Sequence, residues 1–524
     1  MRGGLCPAGH VGTPPPRAVR PLVGIAAVLL GSVISTLYGR VTAFGLADIR
    51  GAVHAGFDEA AWIPTAATVA QMAVGPVAAW LGAAFGIRRV LLVSATLFGT
   101  ASALIPFAPN LHWLLVGQAV AGLGSGTFIP LTIGFVLQSL PPRWWPIGIA
   151  AYGLNLELSL NVPASLEGFY LDHLSWQWIF WQGAILSVPM VACIAAGMPR
   201  QPVNRDVLRN ADGWGMVYAS GGFSMLYAAL DQGIRLDWLS NGLIWGLLAG
   251  SALLLAAFLL REATTPRPWI NLRFLLGRNI LLLLAILVLF RFVLLGTSYI
   301  IPQYLTVVQG FRSLEVGGVL IWIALPQIVI APLVALALGY VDPRLVLAAG
   351  TAMIGAACLM AAQITPAWQS PEFLPSQILQ ALGQSAALIA LILFLVRHLR
   401  PADALTFGAV VQTTRLLGAE LGSGLMQTFV RVSEQANSYL LGLHVQSGAV
   451  DVTTRIAATA ADLAADSVGP VQAAGRSVAL LARAVAQQAN LLAFVDGFQL
   501  LAAAVVIMLV MIGLLRAPNP SETG

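Results

Sequence analysis

Apolar stretches of about 18 or more residues recur along almost the whole of this 524-residue chain. Each is long enough for a helix to cross a hydrocarbon core of about 30 Å at 1.5 Å per residue. With no water in that core, backbone N–H and C=O groups must bond within the segment, and unbroken helices do this. Composition points the same way: 58% of residues are hydrophobic and 9% charged, where a soluble domain carries roughly a quarter charged. The expected fold is an all-α membrane protein of about fourteen transmembrane helices. The spans are predicted at 21–46, 60–82, 90–108, 113–137, 147–171, 178–198, 213–231, 240–260, 279–304, 317–338, 345–363, 374–396, 405–430 and 491–515.

All 27 basic residues are arginine, and they fall mainly in the short connections. One side holds only Arg50, Arg235 and Arg312, plus four arginines in a long loop at 431–490. The other side holds Arg88, Arg89, Arg143, Arg200, Arg205, Arg209, Arg261, Arg267, Arg273, Arg278, Arg344, Arg397 and Arg400. This asymmetry predicts a bacterial inner-membrane protein with both termini in the cytoplasm, and it reports topology, so no nucleic-acid partner is expected. Residues 1–20 and 517–524 read as tails. Arg17 and Arg20 before PLVGIAAVLLGSVIS imitate a signal peptide, but the apolar run continues towards Leu46, as in an uncleaved first helix. The Ala-rich loop places Val478, Leu481 and Val485 at helical spacing. An amphipathic helix on the bundle or membrane surface is the expectation there, with a partner-docking surface as the alternative.

The three cysteines and six histidines are scattered, so neither a disulfide frame nor a metal site is expected. No nucleophile triad or phosphate-cradling loop is recognisable either, which disfavours an enzyme, a cofactor or ATP-driven pumping. The chemistry must then lie in the few polar groups inside the spans. An ionisable side chain at mid-bilayer costs about 2.5–3.5 kcal/mol on insertion scales and is read as functional. Glu157 lies about 15 Å into the fifth span. It shares a helix face with Asn161 and Ser165, beside Asn155 and Ser159. A desolvated carboxyl group can exchange a proton near neutral pH, so Glu157 is the candidate for proton coupling. Glu167, nearer the outer end, is the second proton-coupling candidate, with a partly solvated gate or structural group as its more expected role.

Arg291 lies at similar depth in the ninth span, where it would pair with a carboxylate such as Glu157 or hold a substrate anion. Arg40 lies near the outer end of the first span, within snorkelling reach of the interface. Arg415, Gln118, Asn155 and Asn161 complete the candidate substrate-binding set. Glu420 follows Arg415 on a different helix face, while Gly418 and Gly422 form a small-xxx-small packing pair. Gln303, Gln327, Gln380, Gln384 and Gln412 would give the second half an uncharged polar lining. Tyr152, Phe169, Tyr170, Phe290, Phe292 and Trp322 are candidate stacking surfaces, although most such aromatics sit in interface belts. Two turns, WLGAAFGIRRVLL with Gly86, Arg88 and Arg89, and ALGYVDPRLVL with Arg344, echo one another as parallel repeats would.

Those turns, with GQAVAGLGSGTFIPLT, HLSWQWIF, YAALDQGIRLDW, IIPQYLTVVQGF, TTRLLGAELG and LLAFVDGFQLL in that order, resemble the major facilitator superfamily. The likeness is to its fourteen-span drug:proton antiporter branch, the EmrB/QacA type. It implies a six-helix domain at 21–200, two inserted helices at 201–262 and a six-helix domain at 263–516. It also implies proton-coupled efflux of small amphipathic compounds by alternating access, in some members with a periplasmic adaptor protein and an outer-membrane channel. The sequence departs from the family pattern at Ala83 and Ala84, at Gln118 where relatives carry Arg, and at Tyr38 where they carry an acid. NVPASLEG replaces the Gly-Pro and Gly-Gly pairs of the fifth span. These changes keep open an uncoupled facilitator or importer, and a transport-inactive scaffold or sensor.

Overall fold

The computed structural model describes residues 20–265, 268–270, 275–398, 404–446, 448–465 and 470–516. The expected tails lie outside these residues apart from Arg20. Among the described residues the regular structure is helical throughout, with no strand.

Spans 1 to 3 are Pro21–Phe44, Trp62–Phe85 and Ile87–Leu104. Span 4 is the pair Leu111–Ser125 and Phe128–Ser139, and span 5 the pair Trp145–Asn161 and Pro163–His173. Spans 6 to 8 are Trp178–Gly197, Gly213–Gly233 and Gly242–Thr264. Spans 9 to 12 are Arg278–Val307, Ser313–Ala337, Pro343–Ala361 and Ser370–Arg397. Spans 13 and 14 are Ala404–Gly442 and Pro470–Gly513. The break in span 5 has a covalent cause: Pro163 has no N–H and starts a new helix after Val162.

Eleven helices among the described residues are long and apolar enough to cross a membrane. Spans 5, 7 and 13 fall outside that set. They are more polar: span 5 carries Asn155, Glu157, Asn161 and Glu167, span 7 carries Asp231 and Gln232, and span 13 carries Gln412, Arg415 and Glu420. All three pack between other spans. Span 5 lies against spans 10 and 12, span 7 against spans 2, 8 and 13, and span 13 against spans 2, 9 and 14. Neighbouring protein thus covers the polar helices. Span 8, which packs on span 7, leaves Leu253, Leu259 and Leu260 on the outside.

One apolar core joins spans 1 to 6 through residues such as Tyr38, Phe98, Phe128 and Phe180. A second runs through spans 9 to 14 and takes in Ile129, Ile149, Tyr152 and Leu156 from spans 4 and 5. Arg20 N donates to Gly197 O, while Asn279 Nδ2 donates to Arg516 O. The two ends of the described chain therefore lie with the ends of spans 6 and 9 on one face, here termed the terminal face. The opposite face is the far face.

Segment 431–490, expected as an extramembrane stretch holding an amphipathic helix, is largely helical. Spans 13 and 14 contain 39 and 44 residues, about 58 and 66 Å at 1.5 Å per residue, and so exceed a core of about 30 Å. Helix Val450–Ala465 packs against span 14. The Ala-rich sequence favours helix and has no proline from 431 to 469, so each span serves as a nucleus from which the helix continues outward. Asp496 on span 14 ties the pair together, accepting from Ser433 Oγ at 2.7 Å and Asn437 Nδ2 at 3.2 Å. Losing hydrogen bonds to a charged group costs about 1.5–3 kcal/mol. Asp496→Ala should therefore raise hydrogen exchange by about tenfold or more at 433–445, with exchange in spans 3 and 11 unchanged.

Candidate functional site

The charges stranded in the spans lie in two tiers. The mid-depth tier joins spans 5, 9 and 13, whose helices start at Trp145, Arg278 and Ala404. Counted from those starts, Glu157, Arg291 and Arg415 all lie about 17–20 Å along their helices. They are 0, 2 and 8% exposed respectively. Arg291 interacts electrostatically with Glu157 and Tyr152, and Arg415 with Arg291 and Tyr152. Arg415 Nε donates to Gln412 Oε1 at 3.1 Å. Glu157 and Arg291 do not form a salt bridge; the ion pairs among the described residues are Arg235–Asp58 and Arg261–Asp212. Arg291 Nη1 and both Glu157 carboxylate oxygens are buried without a hydrogen bond that meets normal geometry. Such orphaned polar atoms are costly and point to a missing partner or to a second state in which they pair.

The outer tier lies towards the far face and contains Arg40 of span 1, Glu420 of span 13, and Tyr227 and Asp231 of span 7. Glu420 interacts with Asp231 and Arg40 and is within hydrogen-bonding reach of Tyr227. Arg40 is half-buried yet leaves Nη2 enclosed and unpaired, and it also interacts with Arg291, which links the tiers. Asp231 accepts hydrogen bonds from the Thr65 hydroxyl and from Gln232 Nε2, the latter at 2.8 Å. Gly418 and Gly422 bring span 13 close to span 9 beside Arg291: a Cβ on Gly422 would lie 3.0 Å from Arg291 O. Their packing partner is thus the helix that carries a site residue.

The remaining candidates fall elsewhere. Gln118 is fully buried within spans 1 to 6 and away from the charge cluster, accepting a hydrogen bond from Tyr38 Oη at 2.8 Å. Tyr38 packs edge-on to Phe98 with centroids 5.1 Å apart. The two positions singled out as departures from the family pattern therefore face one another as a neutral donor–acceptor pair. Asn155 is half-buried, and its carbonyl accepts from Ser159 Oγ at 2.6 Å. Asn161 Nδ2 donates to Glu157 O at 2.9 Å, bonding the backbone just before the span 5 break. Gln327, Gln384 and Ser385 form a network, with Ser385 Oγ donating to Gln327 Oε1 at 3.0 Å, and Gln327 is also within hydrogen-bonding reach of Glu157. Phe169 and Trp322 are 46 and 43% exposed and face outward, leaving Tyr152 as the aromatic candidate among the mid-depth charges.

Glu167 is buried rather than partly solvated, at the point where span 5 meets the start of span 10. There a Cβ on Gly168 would lie 2.7 Å from Leu314 N, so only glycine permits this approach. A carboxylate near the N-terminal end of span 10 is favoured by the helix dipole. Span 5 and span 10 thus meet tightly at the far face.

The turn after span 2 is held from outside. Gly86 has φ +89°, a conformation that L side chains rarely adopt. Ile87 N donates to Gln201 Oε1 at 3.0 Å, and Arg88 Nη2 to Ala195 O at 2.8 Å, while Arg89 is exposed. Arg344 instead lies 5.8 Å from the ring centroid of Phe394, with Nε and Nη2 unpaired. The two turns are similar in position but are braced differently.

Sequence reading missed Tyr227 and Asp231, which lay in the fragment YAALDQGIRLDW taken as a family signature between two spans. The available signal was an acid at the predicted end of span 7. Among the described residues, no group of three or more His, Cys, Asp or Glu is arranged to hold a metal ion.

A helical bundle whose most polar spans are buried and converge on a charge cluster defines a membrane carrier. The chain belongs to the Major Facilitator Superfamily, whose family model matches residues 28–423. It is 26% identical over 356 residues to the probable multidrug resistance protein EmrY of Escherichia coli, covering 67% of each chain. It is 24% identical over 434 residues to the multidrug export protein EmrB of Haemophilus influenzae, covering 79% of this chain and 82% of that one. Its fold matches a POT family transporter crystallised with a thioalcohol-conjugated peptide, with a TM-score of 0.59 at 13% identity. That match covers 94% of this chain and 97% of the other.

The Tyr38–Gln118 pair gives a direct test of the neutral packing. Tyr38→Phe removes the donor to a buried amide oxygen and should cost about 1–3 kcal/mol. In thermal unfolding in detergent, Tyr38→Phe should lower the midpoint, and adding Gln118→Leu should recover most of the loss.

Proposed function

We propose that this protein is a proton-coupled exporter of small amphipathic compounds, working by alternating access around the mid-depth charges. The observation that carries this reading is the Glu157–Arg291–Arg415 group, buried where spans of the two halves meet, with guanidinium and carboxylate atoms unpaired. Similarity to EmrB and EmrY supports the export direction and the substrate class. On this reading the terminal face is cytoplasmic, as the arginine distribution predicts. The far face is periplasmic, and residues 21–200 and 263–516 move against one another with spans 7 and 8 between them.

Within that cycle Glu157 has the role of proton carrier. When Glu157 is ionised it attracts Arg291; when protonated it no longer does, and the guanidinium is free to hold an anionic or polar group of the substrate. Opening to the periplasm requires the contact of Gly168 with Leu314 to separate. The projecting ends of spans 13 and 14 face the periplasm, where an adaptor protein and outer-membrane channel would meet the carrier.

Proteoliposome transport of ethidium, an amphipathic cation, and anilinonaphthalene sulfonate, an amphipathic anion, tests this under an imposed pH gradient. Flux of at least one probe should follow the gradient, and Glu157→Gln should reduce gradient-driven flux at least tenfold. Intact gradient-driven flux in Glu157→Gln removes the coupling assignment. Arg291→Gln should abolish transport of the anion while retaining that of the cation if Arg291 contacts substrate. Loss of both would instead assign Arg291 to pairing with Glu157.

A further inference from the structure

The outer tier lies apart from Glu157 and includes the helix that stands between the two groups of six. Asp231 lies in the last turn of span 7, close to the far face, and it is half-buried, so water at that face reaches it. Glu420 lies deeper against the same stretch of span 7. A Cβ on Gly424 would be 3.3 Å from Glu420 Oε1 and 3.6 Å from Leu230 O, which places that carboxyl group beside the backbone next to Asp231. Tyr227, one helical turn before Asp231, is within hydrogen-bonding reach of Glu420.

Asp231 is held in place by hydrogen bonds and, among the described residues, has no ion pair of its own. Its oxygen accepts from Thr65 and Gln232, and Gln232 Nε2 also donates to Thr65 Oγ1 at 2.6 Å. Gln232 Oε1 accepts from Arg235 Nε at 2.8 Å. The Arg235 guanidinium forms its ion pair with Asp58 at 2.7 Å and acts on Asp231 electrostatically from beyond ion-pair distance. The groups around the pair are otherwise few. Arg40 faces Glu420 from span 1, and Arg415 and Thr68 face Tyr227 from spans 13 and 2. Arg431 on span 13 donates to Ile234 O. On span 8, Arg261 and Glu262 lie at the terminal face with Asp212.

We propose that Asp231 of span 7 and Glu420 of span 13 form a proton-loading pair on the far-face side of the charge cluster, with Tyr227 beside them. The inserted helix is then a working part of the carrier. The inference rests on the proton-coupled reading above and assigns it an entry point distinct from Glu157. Two carboxylates held close together repel, and a shared proton relieves the repulsion. A hydronium ion at the far face gives its proton to an Asp231 oxygen and leaves as water. Asp231 passes a proton to the Tyr227 oxygen as the Tyr227 hydroxyl gives its own to Glu420, so the phenol is unchanged. Neutral Glu420 no longer holds Arg40, and the proton leaves to water when the cluster opens to the terminal face. Only O–H bonds form and break.

The test uses the full chain in lipid nanodiscs without substrate, following the carboxylic-acid C=O infrared band through a pH titration. Asp231→Asn and Glu420→Gln should each alter the same titrating band and shift its midpoint by at least one pH unit. The double variant should do little more than either alone, and Glu157→Gln should affect a different band. Tyr227→Phe should keep the midpoint within half a unit and slow protonation after a pH jump. In proteoliposomes, Asp231→Asn should lower the ratio of gradient-driven flux to equilibrium exchange of the same probe at least tenfold. An unchanged ratio, or independent and additive effects of the two variants on the band, overturns the pair. Should the wild type ignore the pH gradient for both ethidium and anilinonaphthalene sulfonate, the coupled-transport reading fails, while the infrared titration still decides whether the carboxyl groups share a proton.

Discussion

Keeping charge inside a medium that contains no water is the constraint on which the rest of this structure depends. The chain places Arg291, Arg415 and Glu157 near mid-depth and Arg40, Glu420 and Asp231 closer to one face. Each would be costly against lipid. The solution is geometric: the polar spans 5, 7 and 13 are set among more apolar neighbours, so the charges meet protein and one another. Leucines and valines of the peripheral spans face outward instead, as Leu253, Val188 and Val329 do.

That arrangement explains why the charges are arranged but not fully paired. A structural ion pair would bring guanidinium and carboxylate within 4 Å, as at Arg261–Asp212, where they are 2.6 Å apart. At Glu157 and Arg291 the opposite charges interact across a larger gap and keep unpaired atoms. A carrier needs such a balance, because groups locked in one pairing have no second state to move to. Tyr38 and Gln118 contrast with this. They form a neutral hydrogen bond within spans 1 to 6, away from the charge cluster, and the Gln118 amide nitrogen is itself buried without a partner among the described residues.

The far face is closed by tight packing. The start of span 10 is held against span 5 by backbone contact at Gly168, with Glu167 buried beside it. Nearby, spans 13 and 14 run outward as long helices tied by Asp496. Span 13 thus packs against spans 2 and 9 and continues without a break into the projecting part. Gly418 and Gly422 let span 13 approach span 9 next to Arg291, so the same helix joins the charge cluster to the exterior.

The apolar runs by themselves determined a helical membrane bundle, because length and hydropathy need no partner to be read. The depth of Glu157 and Arg291 was equally legible from distance along a helix, and the break in span 5 lay latent in Pro163. Other features required tertiary structure. The sequence placed Glu420 on a different helix face from Arg415, but not that this face meets span 7. It marked Asp231 as part of a connecting motif, since nothing local shows that Thr65, distant in the chain, would hold it by a hydrogen bond. It read an amphipathic helix within 431–490, but not that spans 13 and 14 themselves continue outward through much of that segment. Periodicity reports which residues share a face; only packing decides what that face meets, and the charge cluster is made of such meetings.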